Sequence, residues 1–100
     1  MKLLTKEILN QLPQLYANEY KPAKEAMAIV KFFTPDSNWT WWATEFDPEQ
    51  GLFYGLVQGF ETELGYFSLA EIESARGPLG LPIERDLHFK PTQLKNCADF

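Results

Sequence analysis

The chain has 100 residues, of which 45% are hydrophobic and 23% charged, and its formal net charge is −5. This composition excludes a disordered chain, and the length predicts a single domain over residues 1–100. No apolar stretch is close to the length of a membrane-spanning helix, about 20 residues. The N-terminus meets charge at once and has no apolar region of about 7–15 residues, so a secretory signal is not expected. Cys97, the single cysteine, excludes an internal disulfide. We therefore expect a cytoplasmic protein.

The predicted elements begin with a short helix over Thr5 to Leu12, because Thr5 precedes apolar residues at helical spacing and Pro13 ends the pattern. Residues 13–25 contain two prolines and read as a connection. Four runs rich in β-branched and aromatic residues follow, separated by turn formers, at residues 26–33, 39–47, 52–60 and 64–67. Such short links predict an antiparallel meander, since parallel neighbours need long crossovers.

A second helix is predicted after the fourth strand. Ser68 and Glu71 form a capping-box pattern, and Gly77 ends the helix, which we expect from Leu69 to about Arg76. Residues 83–89 suit an edge strand, and residues 92–97 suit one helical turn. The expected fold class is α+β: an antiparallel meander of about four strands with a short N-terminal helix and a second helix after the fourth strand.

The second strand carries aromatic residues at both parities. Because side chains alternate along a strand, Trp39 and Trp41 should share one face, and Trp42 and Phe46 the other. Both faces should therefore meet apolar groups. One face would lie on the core, and the other would be covered by the chain termini or form a recognition surface.

Acidic residues are concentrated in the middle of the chain. Between Phe32 and Ala75 there are eight acidic residues and no Lys or Arg. They are ordinary solubilising carboxylates, or they gather into one surface that repels nucleic acid and anionic membrane and attracts a basic protein. For that second case we expect no direct nucleic-acid or membrane binding. The candidate partner-binding residues are the aromatic anchors Trp41, Trp42 and Tyr54 and the steering carboxylates Glu45, Asp47, Glu61 and Glu63.

A second candidate site surrounds the apolar loop at residues 77–82. Arg76 and Arg85 flank it, and they either clamp an anion or, as we favour, pair with nearby acidic side chains. If this segment is a strand, alternation would place the side chains of residues 84, 86 and 88 on one face, where two carboxylates and a histidine could hold a divalent metal ion. We favour the alternative, in which the acidic side chains form local ion pairs. The candidate anion or ligand site comprises Asp36, Arg76, Arg85, Asp86 and His88. No catalytic residue, metal or cofactor is predicted, because no nucleophile elbow or phosphate loop is present.

Three stretches resemble a known family: residues 32–41 (FFTPDSNWTW), 65–69 (GYFSL) and 76–86 (RGPLGLPIERD). The chain is similar over residues 2–89 to a family of small bacterial proteins classed as a domain of unknown function. The resemblance implies carriage on plasmids, integrative elements and phages, and supplies neither an activity nor catalytic residues. It implies a setting in which small accessory proteins act on host machinery or host defence.

The leading functional expectation is a non-enzymatic accessory protein of a mobile genetic element. It would act by protein–protein contact through an acidic aromatic surface, as in an inhibitor of a nucleic-acid-binding host defence protein. One alternative is a small enzyme or a ligand- or metal-binding domain that uses the second candidate site. Another is a structural subunit of a homo-oligomer, with the second aromatic face buried between copies.

Overall fold

The structure, a computed structural model that describes residues 2–100, begins with the expected N-terminal helix. Helix α1 spans Lys6–Gln11, and the Thr5 hydroxyl oxygen accepts a hydrogen bond from the Ile8 amide at 3.2 Å. The chain then turns at Pro13, whose carbonyl oxygen accepts from the Phe46 amide at 2.9 Å. This bond ties the start of the connection to the sheet.

Seven strands and a second helix follow. The strands are β1 Met27–Ala28, β2 Val30–Phe33, β3 Thr40–Asp47, β4 Leu52–Gln58, β5 Thr62–Ser68, β6 Glu84–Arg85 and β7 Thr92–Gln93. Helix α2 spans Leu69–Ser74, and short 3₁₀ helices lie at Ala23–Glu25 and Leu94–Asn96. The capping box is confirmed: Ser68 Oγ accepts from the Glu71 amide and donates to Glu71 Oε1, both at 3.0 Å.

The main sheet has five strands in the order β5–β4–β3–β2–β6, and every pair is antiparallel. Strands β1 and β7 form a separate antiparallel pair. The α+β class with an antiparallel sheet and two short helices is therefore confirmed. The prediction of about four strands in a single meander is wrong, because residues 2–100 contain seven strands in two sheets.

Two local interruptions explain the difference. Ile29 divides the expected strand at 26–33, so that β1 leaves the main sheet and pairs with β7. The expected strand at 83–89 contributes only β6 to the sheet edge. It ends there because the Asp86 carboxylate accepts from the His88 amide at 2.9 Å, which forms an Asx turn instead of a continued ladder.

A β-bulge at Thr44 changes which residues of β3 share a face. Ala43 lies opposite Gly55 while Glu45 lies opposite Tyr54, so Thr44 is an extra residue on its strand. The alternation is reset there, and the expectation that Trp42 and Phe46 share a face is wrong. Trp42 and Phe46 belong to different hydrophobic clusters.

The two clusters lie on opposite faces of the main sheet. Phe32, Phe53 and Phe46 pack in the first, together with buried residues of the N-terminal segment and Ile72 of α2. Trp42 and Leu56 pack in the second, whose members are Ala26, Ala28, Trp42, Leu56 and Leu94. Partly buried residues near the C-terminus, including Phe89 and Phe100, cover this second cluster. Of the two expectations for the second aromatic face, coverage by a chain terminus is the one that the structure shows.

Candidate functional site

Three aromatic side chains meet at the end of the sheet where the β2–β3 and β4–β5 turns lie side by side. The Trp39 ring lies 5.8 Å from that of Trp41 and 5.3 Å from that of Phe60, centroid to centroid. The Trp39–Phe60 pair is edge-to-face, with 82° between the ring planes. Phe60 is 96% exposed, so its contact with Trp39 leaves nearly all of it accessible.

Local structure positions Trp39. The Trp39 amide donates to Thr34 Oγ1, and its carbonyl oxygen accepts from the Thr34 amide, both at 3.0 Å. These bonds close the β2–β3 turn. The indole ring then lies on Gly59, where an added Cβ would stand 2.4 Å from ring carbons of Trp39. Only glycine allows the ring to approach the backbone this closely.

Two exposed carboxylates flank these rings. Glu61 follows Phe60 in the turn, and Glu63 lies opposite Val57 in the ladder of β4 and β5. Neither forms an ion pair with a Lys or Arg of residues 2–100. The result is an apolar and acidic area, here called the hairpin-end surface, which comprises Trp39, Trp41, Phe60, Glu61 and Glu63.

Two of the sequence-predicted partner residues are not on the surface. Trp42 and Glu45 are each only 4% exposed, so neither lies on an outer surface that another protein could contact. Asp47 lies at the opposite end of β3, where its carboxylate accepts from the Glu49 amide and the Gln50 side chain. Six residue steps of β4 separate that end from the hairpin-end surface, about 20 Å along the strand. The acidic residues therefore do not form one continuous surface.

Glu45 instead lies beneath a cleft formed by the 13–25 connection and the sheet. Its Oε1 accepts from the Tyr16 amide at 2.7 Å, and its Oε2 accepts from the Asn18 amide at 3.2 Å. The rings of Tyr54 and Tyr66 stand beside it, 4.9 Å apart at an angle of 62°. We call this the tyrosine cleft; its volume is about 230 Å³, and Tyr16, Asn18, Glu45, Tyr54 and Tyr66 are among its lining residues.

The tyrosine cleft perturbs one of its phenols. A hydrogen bond with the Tyr16 side chain raises the pKa of Tyr66 above its usual value; desolvation adds to this, followed by the charges of Tyr16, Tyr54 and, last, Glu45. Each of these effects favours the neutral phenol over the phenolate. Tyr66 is therefore a neutral hydrogen-bonding group at physiological pH.

The second candidate site is divided between different parts of the fold. Asp36 Oδ2 accepts from the amides of Leu79 and Leu81, at 2.8 and 3.3 Å, and so holds the 77–82 loop against the β2–β3 turn. A Cβ on Gly77 would lie 1.6 Å from Asp36 Oδ1, so glycine is required for this close contact. Asp36 thus has a structural function in the loop.

The arginines contact backbone carbonyls. Arg76 donates to the carbonyl oxygens of Glu73 and Ala75 at the end of α2. Arg85 donates to the Lys2 carbonyl oxygen at 2.7 Å. Asp86 forms an ion pair with Lys31, at 3.5 Å. Arg85, Asp86 and His88 line one groove while Arg76 lines another, so the structure does not gather this set into one pocket, and its binding of a ligand stays a prediction.

The described part of the chain has no cluster of metal-ligating side chains. Within residues 2–100, no group of three or more His, Cys, Asp or Glu side chains is placed to hold a metal ion, and Glu84, Asp86 and His88 therefore do not form such a group. None of the helices over this range is long and apolar enough to cross a membrane.

Together these features define an α+β domain in which chain segments cover both faces of an antiparallel sheet, with open surfaces at the strand ends and beside the 13–25 connection. The chain belongs to the family described as Protein of unknown function (DUF2958), whose model matches residues 3–97. The resemblance noted in the sequence is confirmed at this level. No curated protein and no solved structure matches the chain.

Sequence reasoning missed several residues of both surfaces. Phe60 follows Gly59 at a strand end, and an aromatic residue in a turn is a signal that could have identified it. Tyr16 and Asn18 lie in a stretch without regular periodicity, and no local pattern connects them to Glu45. Their contact with it depends on how the connection folds back onto the sheet.

Proposed function

We propose that this protein acts without catalysis, by docking on a basic surface of another protein through its hairpin-end surface. One observation carries the proposal: Phe60 is 96% exposed and contacts Trp39 edge-on, beside two carboxylates that have no basic partner in residues 2–100. Contiguous exposed apolar patches mark binding surfaces, and the ring contacts of Trp39 with Trp41 and Phe60 make these side chains contiguous.

The composition of the surface indicates the chemistry of the partner. Aromatic side chains supply most of the energy of protein contacts, and Trp39 is already held rigidly by Thr34 and Gly59, so little order is lost on binding. Glu61 and Glu63 repel phosphate groups, which argues against nucleic acid and anionic lipid despite the aromatic rings. The same charges attract Lys and Arg and speed association with them.

The biological setting is part of the proposal. We propose that the chain is an accessory protein of bacterial plasmids, integrative elements or phages, and that its target is a nucleic-acid-binding protein of host defence. A groove that holds nucleic acid is basic, so an acidic surface with aromatic anchors can compete for it. The net charge of −5 supports such a target.

A second copy of this chain fits the surface less well. In a two-fold symmetric contact the same patch meets itself, which would bring Glu61 and Glu63 of both copies together. Like charges at such short range oppose association. The mass of the protein in solution tests this point directly.

The test is affinity capture from the natural host with the wild-type chain and three variants, at low and moderate salt. Phe60→Ala removes the anchor, and Glu61→Lys with Glu63→Lys reverses the charge. Tyr20→Ala is the control, because Tyr20 is 79% exposed and lies outside the hairpin-end surface. A captured protein is then purified, and its affinity for each variant is measured.

We expect that the wild type and the Tyr20→Ala variant capture the same basic protein with equal affinity. Phe60→Ala should weaken its affinity about thirtyfold, the value for an interface anchor of about 2 kcal/mol. Reversal of the charges at Glu61 and Glu63 should also weaken the affinity, and the loss should be larger at low salt than at moderate salt because salt screens the charges. Equal affinity for all variants, or a dimer that Phe60→Ala converts to a monomer, would contradict the proposal.

A further inference from the structure

The tyrosine cleft has a negative charge at its base that no side-chain cation of residues 2–100 neutralises. Glu45 is 4% exposed, and each of its oxygens accepts one backbone amide, which leaves acceptor capacity on both. Lys21 also lines the cleft, but its ammonium lies over the Tyr20 ring, 5.2 Å from the centroid, and forms no ion pair with Glu45. The site is therefore prepared for a positive group from outside.

Aromatic rings surround this carboxylate. Tyr54 and Tyr66 stand at 62° to one another, and their facing edges and planes form two walls of the cleft. Tyr16 also lines the cleft, on the side of the 13–25 connection. Rings gathered around a cavity attract cations through their π faces, and a buried carboxylate strengthens that preference.

Two further features of the cleft are unusual for a purely structural contact. Asn18 Nδ2 is buried and has no hydrogen-bond partner among the described residues, and Asn18 lines the cleft. Tyr16 has a φ of 71°, a left-handed conformation that is uncommon for a bulky residue. Orphaned donors and strained residues concentrate where a protein binds something.

We infer that the tyrosine cleft binds a small organic molecule that carries a primary ammonium group. The ammonium donates to the Glu45 carboxylate between the tyrosine rings. The volume of about 230 Å³ is smaller than the about 300–1,000 Å³ of pockets for drug-sized ligands, which restricts the ligand to a few carbon atoms. This binding is independent of the hairpin-end surface.

The probe is 4-amino-1-butanol, and the comparison compound is 1,4-butanediol, which has nearly the same shape and no charge. Both are titrated into the isotope-labelled protein, and the amide resonances of Tyr16 and Asn18 are followed by NMR. The amino alcohol should give saturable shifts and bind at least about tenfold more tightly than the diol. No saturation up to about 100 mM, or equal binding of the diol, would overturn the inference.

A pair of aromatic variants locates the site. Tyr66 is 52% exposed and Phe60 is 96% exposed and lies outside the cleft, so leucine at either position leaves the core intact. Tyr66→Leu should weaken binding of the amino alcohol at least about fivefold, while Phe60→Leu should leave its affinity unchanged. Equal effects of the two substitutions would overturn the inference. These variants avoid Glu45 itself, whose replacement also affects folding.

Discussion

Tyr16 and Glu45 are 29 residues apart in the chain, and the Tyr16 amide donates to Glu45 Oε1 at 2.7 Å. The Asn18 amide binds the other carboxylate oxygen at 3.2 Å. A buried carboxylate is costly without hydrogen bonds, and these two amides supply them. The same bonds hold the 13–25 connection on the sheet, so that one acidic residue of β3 determines the shape of the tyrosine cleft.

Replacing Glu45 with alanine should therefore destabilise the fold. Two amides would lose charge-assisted acceptors in a partly buried place, and we expect the free energy of unfolding to fall by about 2–4 kcal/mol. Urea denaturation measures this value. Glu49→Ala is the control, since Glu49 is exposed on the β3–β4 turn and should change stability by less than about 0.5 kcal/mol. Similar losses for both variants would contradict the assigned role of Glu45.

The raised pKa of Tyr66 gives a second prediction. Its main cause is the hydrogen bond with the Tyr16 side chain, so Tyr16→Phe should move the pKa of Tyr66 down towards its usual value of 10.0. The titration is followed by NMR at the Tyr66 ring or by absorbance of the phenolate. Tyr20→Phe should leave the pKa of Tyr66 unchanged.

The sign of the linked effect on stability follows from the direction of the shift. A raised pKa means that the folded chain holds the phenolic proton more firmly than the unfolded chain does. The stability that this supplies is present below the unfolded pKa, about 10, and is lost as the pH rises through the folded pKa of Tyr66. In Tyr16→Phe the loss above that pH should be smaller. An unchanged pH profile would contradict the assignment.

The parts of the fold that the sequence predicted depend on neighbouring residues. Ser68 and Glu71 are three positions apart, so their capping box is visible in the chain, and the turns between β2, β3 and β4 contain their own turn formers. Glu61 was likewise expected at the surface, because it lies in the turn of a hairpin, and the exposure of such a turn follows from the neighbouring sequence alone. Such features need no knowledge of distant contacts.

The parts that were missed depend on contacts across the fold. The bulge at Thr44 forms where Gly55 of the neighbouring strand comes so close that a Cβ would lie 1.9 Å from the Trp42 carbonyl oxygen. Because this bulge resets the alternation, it moved Phe46 to the face opposite Trp42. Glu45 was expected to steer a partner for a related reason: nothing in its own strand indicates that residues 16 and 18 return to cover it.

Gly77 provides a third prediction. A methyl group there would lie 1.6 Å from Asp36 Oδ1, so Gly77→Ala must displace the Asp36 carboxylate or the loop. Either movement weakens the hydrogen bonds that Asp36 accepts from the amides of Leu79 and Leu81. We expect a loss of about 1–3 kcal/mol in the free energy of unfolding. Gly65→Ala is the matched control, because nothing lies within 4 Å of its Cβ position. Equal stability of the two variants would contradict the close contact.

Cys97 gives the last prediction, on reactivity. Burial raises the pKa of its thiol above the usual value of 9.0, and the charge of Lys31 partly opposes this. The thiol also donates to the Gln93 carbonyl oxygen, at 3.5 Å, and donation from the protonated form favours that form. Since the thiolate is the nucleophile, Cys97 should react with a disulfide reagent at pH 8 at least about tenfold more slowly than the unfolded chain does.

Two lysine variants separate the electrostatic effect from simple access to the thiol. Lys31→Ala removes the charge that lowers the pKa of Cys97, so its reaction should become slower still, provided that the fold is kept. Lys95→Ala removes an exposed charge close in sequence and should leave the rate unchanged, because Lys31 is the basic side chain of residues 2–100 whose charge acts on the thiol. Unchanged rates in both variants would mean that burial, and not the charge of Lys31, controls the reactivity of the thiol. A folded chain that reacts as fast as the unfolded one would show that the C-terminal segment does not stay on the second hydrophobic cluster.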